Sequence, residues 1–309
     1  MDLTIISPCF NESLNLFELV KRTEVAVRSF DPKIKYEHIL IDNASTDDSI
    51  KVMNEVRKRF PQVRILQNSE NIGVFASMQR GLKASSGKWV VPFLAADMQD
   101  PPEVIAEMLE KQITTECDAV FGIRESRREN SFLFLLRKLF YFLLNYFMRP
   151  KKYVSGTSEF CLIPREKSLQ IIEVDDPNPF LRIYLSQLNL DVKYVKFAMG
   201  QRKKGKSSAS IFSLFDDALN AFSIVVPSIF SRLIVFLVPL LTITFFIFIS
   251  LLVLWFLNSI TLIYAWALLI FIFILIFMII QLLIGHYIFI LHSQIRNKPN
   301  VETSELFKE

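Results

Sequence analysis

The chain has 309 residues, 51% of them hydrophobic, with 29 Phe and a formal net charge of +4. A mean hydropathy of +0.34 excludes an ordinary soluble protein. The modest charge argues against nucleic-acid binding through one basic face: the basic residues gather at 124–128, 137–152 and 202–206, beside apolar segments, a placement suited to phosphates or anionic headgroups. Cys9, Cys117 and Cys161 are few and scattered. They fit neither a metal site nor a disulfide framework, and they point to a reducing compartment. The apolarity is uneven, since residues 233–295 contain no Asp, Glu, Lys or Arg. The expected organisation is one α/β domain over residues 1–210 followed by a membrane region.

The chain opens on a strand over 3–7, so no cleavable signal peptide is expected. A turn at Pro8-Cys9-Phe10-Asn11-Glu12 leads into a helix to about 30, with Leu16, Leu19, Val20 and Val27 at helical spacing. A second strand over 37–41 ends in Asp42-Asn43-Ala44-Ser45-Thr46-Asp47, and a helix follows over 50–60. The third strand, 63–66, leads to Asn71-Ile72-Gly73 and a helix over 74–84. The fourth, 88–94, leads to Ala95-Ala96-Asp97-Met98-Gln99-Asp100 and a helix opening at Pro101-Pro102, where missing N–H groups cost least. A fifth strand covers 118–122. This alternation predicts a mainly parallel sheet with helices on both faces.

Parallel strands set their carboxyl ends along one edge, where open α/β sheets bind ligands. The clusters Asn11/Glu12, Asp42/Asp47, Asn71 and Asp97/Gln99 all follow strands and should meet in one cleft. Asp97 and Gln99, two residues apart, point the same way on an extended backbone. Two oxygen ligands at a strand end suit Mg²⁺ or Mn²⁺. Alone, the same residues read equally well as a solvated helix cap, and Asp47 equally as a capping residue.

The ordered set Pro8…Asn11-Glu12, Asp42…Ser45…Asp47, Asn71…Gly73 and Asp97…Gln99-Asp100-Pro101-Pro102-Glu103 resembles family 2 glycosyltransferases of the GT-A fold, a Rossmann-like architecture. Within that family it is similar to the polyprenyl-phosphate sugar synthases, of the dolichol-phosphate mannose synthase and undecaprenyl-phosphate glucosyltransferase type. The resemblance covers residues 3–125. It implies a nucleoside held near Pro8, Glu12 and Asp42, with Asn71 close by, and a divalent cation held by Asp97 and Gln99 on the diphosphate. The family often carries Asp where this chain has Ala95. Either Asp97, Gln99 and the diphosphate suffice for the metal, or metal use is weakened. Asp100 is a further carboxylate, expected to cap the helix that opens at Pro101.

Past the fifth strand, Arg124 occupies a position where the family binds the acceptor phosphate, and guanidinium geometry suits that task. Arg127 stands equally for a phosphate ligand and a solvated loop charge. Residues 132–148 form an apolar stretch with Arg137 and Lys138 at its centre, expected as an interfacial helix, with a core helix as the alternative. Glu159-Phe160-Cys161-Leu162 stands where polyprenyl-phosphate synthases show an Asp-Phe-Arg-Leu type of sequence, keeping a carboxylate and losing the Arg. Gln201–Ser208 resembles the family's Arg-x-x-Gly-x-Ser loop, which places Arg202, Lys206 and Ser207 near the diphosphate or acceptor phosphate. A basic stretch flanking a membrane helix is the other reading of it.

Ile211, Phe215, Ala218, Phe222, Val225 and Ile229 form one apolar helical stripe, expected as a juxtamembrane amphipathic helix over 211–231. Residues 233–257 and 262–291 are each long enough to span a bilayer as a two-helix hairpin within 232–295, and 296–309 form a tail. Arg232, Arg296 and Lys298 flank the hairpin and its turn is uncharged, so both ends and the large domain are expected in the cytoplasm; the resemblance implies a bacterial inner membrane.

The expected function is inverting, metal-assisted transfer of a sugar from a nucleotide sugar, UDP being the family's common choice, to polyprenyl phosphate. The resemblance also implies a homo-oligomer. A second reading keeps the donor and changes the acceptor to a lipid-linked sugar or a glycerolipid hydroxyl; a hydroxyl acceptor needs a base, and Asp100 and Glu159 are its candidates. A third is a non-catalytic membrane scaffold, supported by Ala95 and opposed by Glu12, Asp42, Asp97 and Gln99.

Overall fold

The computed structural model describes residues 1–125, 157–173, 190–200, 262–295 and 303–305, most of 239–257, and single residues between 126 and 156. The regular elements alternate from the start: β1 (Leu3–Cys9), α1 (Leu16–Phe30), β2 (Tyr36–Asp42), α2 (Ser49–Arg59), β3 (Val63–Asn68), α3 (Val74–Ala84), β4 (Trp89–Val91), α4 (Val104–Thr115) and β5 (Ala119–Glu125). There follow β6 (Thr157–Pro164), α5 (Arg165–Glu173), β7 (Val192–Ala198), α6 (Leu262–Ile295) and β8 (Thr303–Glu305).

One eight-stranded sheet runs in the order β7-β5-β6-β4-β1-β2-β3-β8. β3, β2, β1 and β4 are mutually parallel. β6 runs antiparallel between β4 and β5, β7 pairs parallel with β5, and β8 pairs antiparallel with β3. Six of the eight strands therefore run the same way, so the sheet is mainly parallel as expected, with β6 and β8 reversed. β6 carries a short continuous buried run that lacks the alternation of a half-exposed strand, and it enters from far along the chain.

β1 and β2 are buried along their whole length, as strands covered on both faces must be. Alternate residues feed two cores. Leu3, Ile5, Leu40, Ile65, Val120 and Leu162 pack against α1, α2 and α4. Ile6, Ile39, Ile41, Leu66, Phe121 and Ile163 pack on the other face with Met78 and Leu82 of α3 and Ile172 of α5. The helical spacing of Leu16, Leu19, Val20 and Val27 is realised as the buried side of α1. Arg22 of α1 donates through Nε and Nη2 to both oxygens of Glu103, at 2.7 and 2.6 Å, fixing the start of α4.

Several polar side chains inside the sheet pair with one another. Thr4 Oγ1 donates to Glu37 Oε1 at 2.7 Å, and the Ser86 N–H and hydroxyl reach the same oxygen. Burial pushes the Glu37 carboxyl up, but the bonds from Thr4, Ser86 and Arg64 outweigh it and hold the group below its usual range. His38, fully buried, pairs its Nε2 with Ser7 Oγ at 3.0 Å.

β4 is shorter than the expected 88–94. Pro92 removes the ladder N–H that would continue it, although Leu94 N–H still donates to Ile6 O at 2.8 Å. α4 likewise starts at Val104, after a turn over the two prolines.

α6 is 34 residues long, about 50 Å at 1.5 Å per residue, and exposes Trp266, Phe271, Phe273, Phe277 and Tyr287. Among the described side chains no helical run is both long and apolar enough to cross a membrane, the longest such run in α6 being 269–285. The fold by itself does not establish the expected hairpin. The helices expected over 132–148 and 211–231 lie outside the described residues, isolated positions of the first excepted.

Burial depresses the His38 pKa to about 3. The unfolded chain, with its histidine near 6.5, binds more protons between these values, so stability falls as pH drops below about 6.5, by up to about 1.4 kcal/mol per pH unit. Thermal unfolding of His38→Gln, followed from pH 7 to pH 5, should show a shallower fall in midpoint than the parent chain.

Candidate active site

The parallel register aligns Cys9, Asp42 and Gln67 across β1, β2 and β3. Beyond this line each strand must turn into a helix within a few residues. The turns use left-handed backbone: Asn11 (φ 57°), Ala44 (φ 58°), Gly73 (φ 83°) and Met98 (φ 65°) follow β1, β2, β3 and β4 in turn. Three of the four are not glycine. Such conformations cost about 1–2 kcal/mol per residue and persist only where neighbours hold them.

The first two turns hold each other. The Asn11 amide oxygen accepts the N–H groups of Thr46 and Asp47 at 2.8 and 3.3 Å, and Asn11 N–H donates to Ser45 Oγ at 3.0 Å. Glu12 N–H donates to Ser49 Oγ at 2.9 Å. Asp47 accepts from the N–H groups of Ser49 and Ser13. Burial raises the Asp47 pKa, but the bonds from Ser49 and Ser13 win and hold it below the ordinary range. Asp47 thus acts as a fastener of the loop that leads into α2, whose N-cap position is Asp48.

Asp42 is buried, accepting Ser45 N–H at 3.2 Å and Gln67 Nε2 at 3.4 Å. Glu12 is half-buried and accepts Asn15 Nδ2 at 2.6 Å. Burial, then the charges of Glu12 and Asp42, push the Cys9 thiol well above its usual value. The two carboxylates therefore converge on the end of β1, where Pro8 lies buried within the strand.

Asn43 organises the third turn. Its Nδ2 donates to Asn71 Oδ1 at 2.8 Å, and its Oδ1 accepts Asn68 Nδ2 at 3.1 Å and Ile72 N–H at 3.0 Å. Asn71 Oδ1 also accepts Gly73 N–H at 3.0 Å, which brings Asn71 beside the end of β2.

The fourth turn carries Asp97 and Gln99. Gln99 N–H and Nε2 donate to the two Asp97 oxygens at 3.0 and 2.8 Å. Ala95, Asp97 and Gln99 are half-buried, while Ala96, Met98 and Asp100 are buried. Asp97 and Gln99 share a side as expected, but through a tight turn at Met98 and not through extended backbone. Asp100 does not cap α4, whose N-cap position is Glu103. It is fully buried, and Arg124 Nε and Nη2 donate to its two oxygens at 2.9 and 2.8 Å. Burial raises the Asp100 pKa, Arg124 opposes this, and Asp97 adds to it.

From the far side, Gly200, two residues past β7, donates its N–H to Gln99 O at 2.9 Å. The residue before the basic 201–208 stretch therefore meets the Asp97–Gln99 turn. Arg127, Arg202, Lys206 and Ser207 lie outside the described residues. Glu159 is buried in β6, and alternation sets it with Cys161 on the α3/α5 face.

Chemically, the edge offers hydrogen-bonding amides and carboxylates at β1–β3 and one half-buried carboxylate, Asp97, beside an amide after β4. Among the described residues no three His, Cys, Asp or Glu side chains gather as a metal cage. Asp97 with the Gln99 amide oxygen nevertheless suits Mg²⁺ or Mn²⁺, which are held by one or two protein oxygens with waters and substrate phosphates completing the shell. Asp100 is unsuited, being tied to Arg124. Sequence reasoning missed Asn43, Met98 and Gly200. Asn43 had a signal, an Asn after a buried strand and before a small residue. Gly200 had a weaker one, a lone glycine closing an apolar run.

Residues 4–171 match the sequence profile of glycosyl transferase family 2. An uncharacterized glycosyltransferase of Bacillus subtilis, YkcC, is 26% identical over 223 residues, 71% of this chain and 68% of that protein. The undecaprenyl-phosphate 4-deoxy-4-formamido-L-arabinose transferase of Pseudomonas fluorescens is 33% identical over 132 residues, 42% of this chain and 38% of that protein. The crystal structure of S. aureus TarS 1–349 in complex with UDP-GlcNAc superposes with a TM-score of 0.51 at 16% identity, over 74% of this chain and 66% of that one, a likeness of fold.

Removing Arg124 leaves the Asp100 carboxylate buried without its partner, at a cost of about 3 kcal/mol. Chemical denaturation of Arg124→Ala should show a loss of that order near pH 7. The loss should shrink as pH falls, because the Asp100 carboxyl, already raised by burial, protonates more readily once Arg124 is gone.

Proposed function

This chain belongs to glycosyl transferase family 2 and is a glycosyltransferase, and we propose that it moves a sugar, with inversion, from a nucleotide sugar to polyprenyl phosphate at the cytoplasmic face of a membrane. The observation that carries this reading is the convergence of Glu12, Asp42 and Asn71 with Asp97 and Gln99 at one sheet edge. β1 pairs with β2 on one side and β4 on the other, so the crevice lies where the strand order reverses, the usual ligand site of such sheets.

In this reading Pro8, Asn11, Glu12, Asp42, Ser45 and Asn71 receive the nucleoside, a uridine by family resemblance. Asp47 and Gly73 shape the loops that present them. The diphosphate lies against Asp97 and Gln99. A divalent cation bound there would neutralise charge growing on the departing nucleoside diphosphate. Ala95 leaves that task to one carboxylate and one amide.

The acceptor phosphate oxygen attacks the anomeric carbon from the face opposite the diphosphate. The new carbon–oxygen bond forms as the bond to the diphosphate breaks. A phosphate is ionised at neutral pH and needs orientation more than a base. Arg124 suits that role. Asp100 engages two of its five N–H donors and fixes the plane of the guanidinium, leaving three for phosphate. That pairing also argues against Asp100 as the base that a hydroxyl acceptor would require. Arg127, Arg202, Lys206 and Ser207 are proposed on sequence grounds to line the phosphate side, and Glu159 the acceptor side. The Pseudomonas relative, by its name, uses undecaprenyl phosphate, and the same acceptor is proposed here.

Residues 233–257 and 262–291 are proposed as a membrane hairpin, with 132–148 and 211–231 at the interface and the assembly a homo-oligomer. The tail supports both hairpin ends lying on the catalytic side. β8 pairs with β3, and the chain from Ile295 to Thr303 reaches at most about 30 Å. The C-terminal end of α6 must therefore stay near the catalytic sheet.

The test is a screen of nucleotide sugars against membrane lipids with the full chain in nanodiscs, read by mass spectrometry of the lipid product. Glycosylated polyprenyl phosphate is expected, and glycosylation of neutral lipids alone would replace the acceptor. Asp97→Ala should lower turnover roughly 100-fold or more; unchanged turnover would remove the cation from Asp97.

A further inference from the structure

We propose that Gly200 is a positioning residue for the cation-binding turn: its backbone N–H and its missing side chain set the geometry of residues 97–99. The inference rests on the reading of Asp97 and Gln99 as cation ligands, and adds a determinant from a different part of the chain.

Three observations carry it. Gly200 N–H donates to Gln99 O at 2.9 Å, so the bond falls on the ligand-bearing segment itself. A Cβ at Gly200 would lie 2.3 Å from the Met98 carbonyl oxygen and 3.6 Å from that of Gln99. The first is far inside van der Waals contact, and its neighbour there is backbone that cannot swing aside. Met98, between the two ligands, has φ 65° and is buried. A non-glycine residue in that conformation needs support from its surroundings, and the close approach of Gly200 to its carbonyl supplies some.

The support comes from a firm base. Gly200 follows β7, which pairs with β5 so that Arg124 lies opposite Phe197 and Glu125 opposite Ala198. Phe197 packs edge-on against Phe160 at 5.7 Å between ring centroids. The same β5 end supplies Arg124, which grips Asp100. The turn is thus fastened twice to one strand pair, by a side-chain clamp at residue 100 and a backbone clamp at residues 98 and 99. A cation held by only two side chains has no third carboxylate to absorb a displaced turn. Any side chain at position 200 must move either the end of β7 or the turn, and the ligand oxygens move with the turn. The nucleoside end is built from β1–β3 and should be unaffected.

The experiment measures Mn²⁺ binding by electron paramagnetic resonance in the presence of UDP, with the full chain in nanodiscs, for the parent, Gly200→Ala, Gly200→Ser and Asp97→Ala. Unfolding midpoints and metal-free UDP binding are measured alongside. The Mn²⁺ dissociation constant should rise roughly tenfold or more in both Gly200 variants, with UDP binding and the midpoint near the parent's. An unchanged constant in folded Gly200→Ala overturns the proposal. Hydrogen exchange of the parent at Gly200 is the second readout and needs no variant: Mn²⁺ with UDP should slow it, and no change counts against the proposal. If the parent binds no Mn²⁺, or Asp97→Ala binds it equally well, the cation reading itself has failed, and the role of Gly200 goes with it.

Discussion

The site depends on one constraint, the parallel pairing of β1 with β2 on one side and β4 on the other. That pairing makes all the strands of this half of the sheet finish at one edge. The connections from these strands to the helices that follow pass through left-handed backbone at Asn11, Ala44, Gly73 and Met98. The polar residues of the edge serve first to hold those turns. Asn11 and Asn43 carry the N–H groups that the turns would otherwise leave unmet, and they join neighbouring turns while doing so.

Preorganisation follows from the same bonds. Asn43 spends its amide on Asn68, Asn71 and Ile72, and so fixes the third turn against the second. Asp100 lies buried under Arg124 and holds a guanidinium at the rim of the cleft. The carboxylates are divided by burial. Asp42 and Asp100 are inside and bonded, Glu12 and Asp97 are partly open. An edge so arranged can meet an anionic ligand at one end and, through a cation, at the other, with little rearrangement of backbone.

The sequence made the first half of this legible because its signals were local. Helical spacing in Leu16–Val27, apolar runs, and polar residues after each run identify β1 to β5 and their turns. What escaped depended on distance or on continuous burial. β6 opens on three polar residues and closes on an apolar run, all of it buried up to Ile163, so it shows no strand period, and its antiparallel place between β4 and β5 has no local mark. The Asp100–Arg124 clamp joins residues 24 positions apart, so Asp100 read locally as a cap beside Pro101. Met98 breaks the extended backbone from which the shared side of Asp97 and Gln99 was inferred, yet the turn restores it. The contact of Gly200 with Gln99 was hidden for the same reason, since nothing near either residue announces the other.

The short β8 has a consequence in time as well as space. Its partner, β3, leaves the ribosome well before β8, which comes after α6. Until that late segment arrives, β3 is a sheet edge with unpaired N–H and C=O groups, the kind of surface that recruits other chains. The nascent protein must keep that edge from neighbours through the whole synthesis of its most apolar stretch. Arg64, whose guanidinium is turned back to Glu37 and Ala84 O, sits on that edge strand as a charge that discourages such pairing. A segment made after α6 thus closes a vulnerability opened when β3 was made.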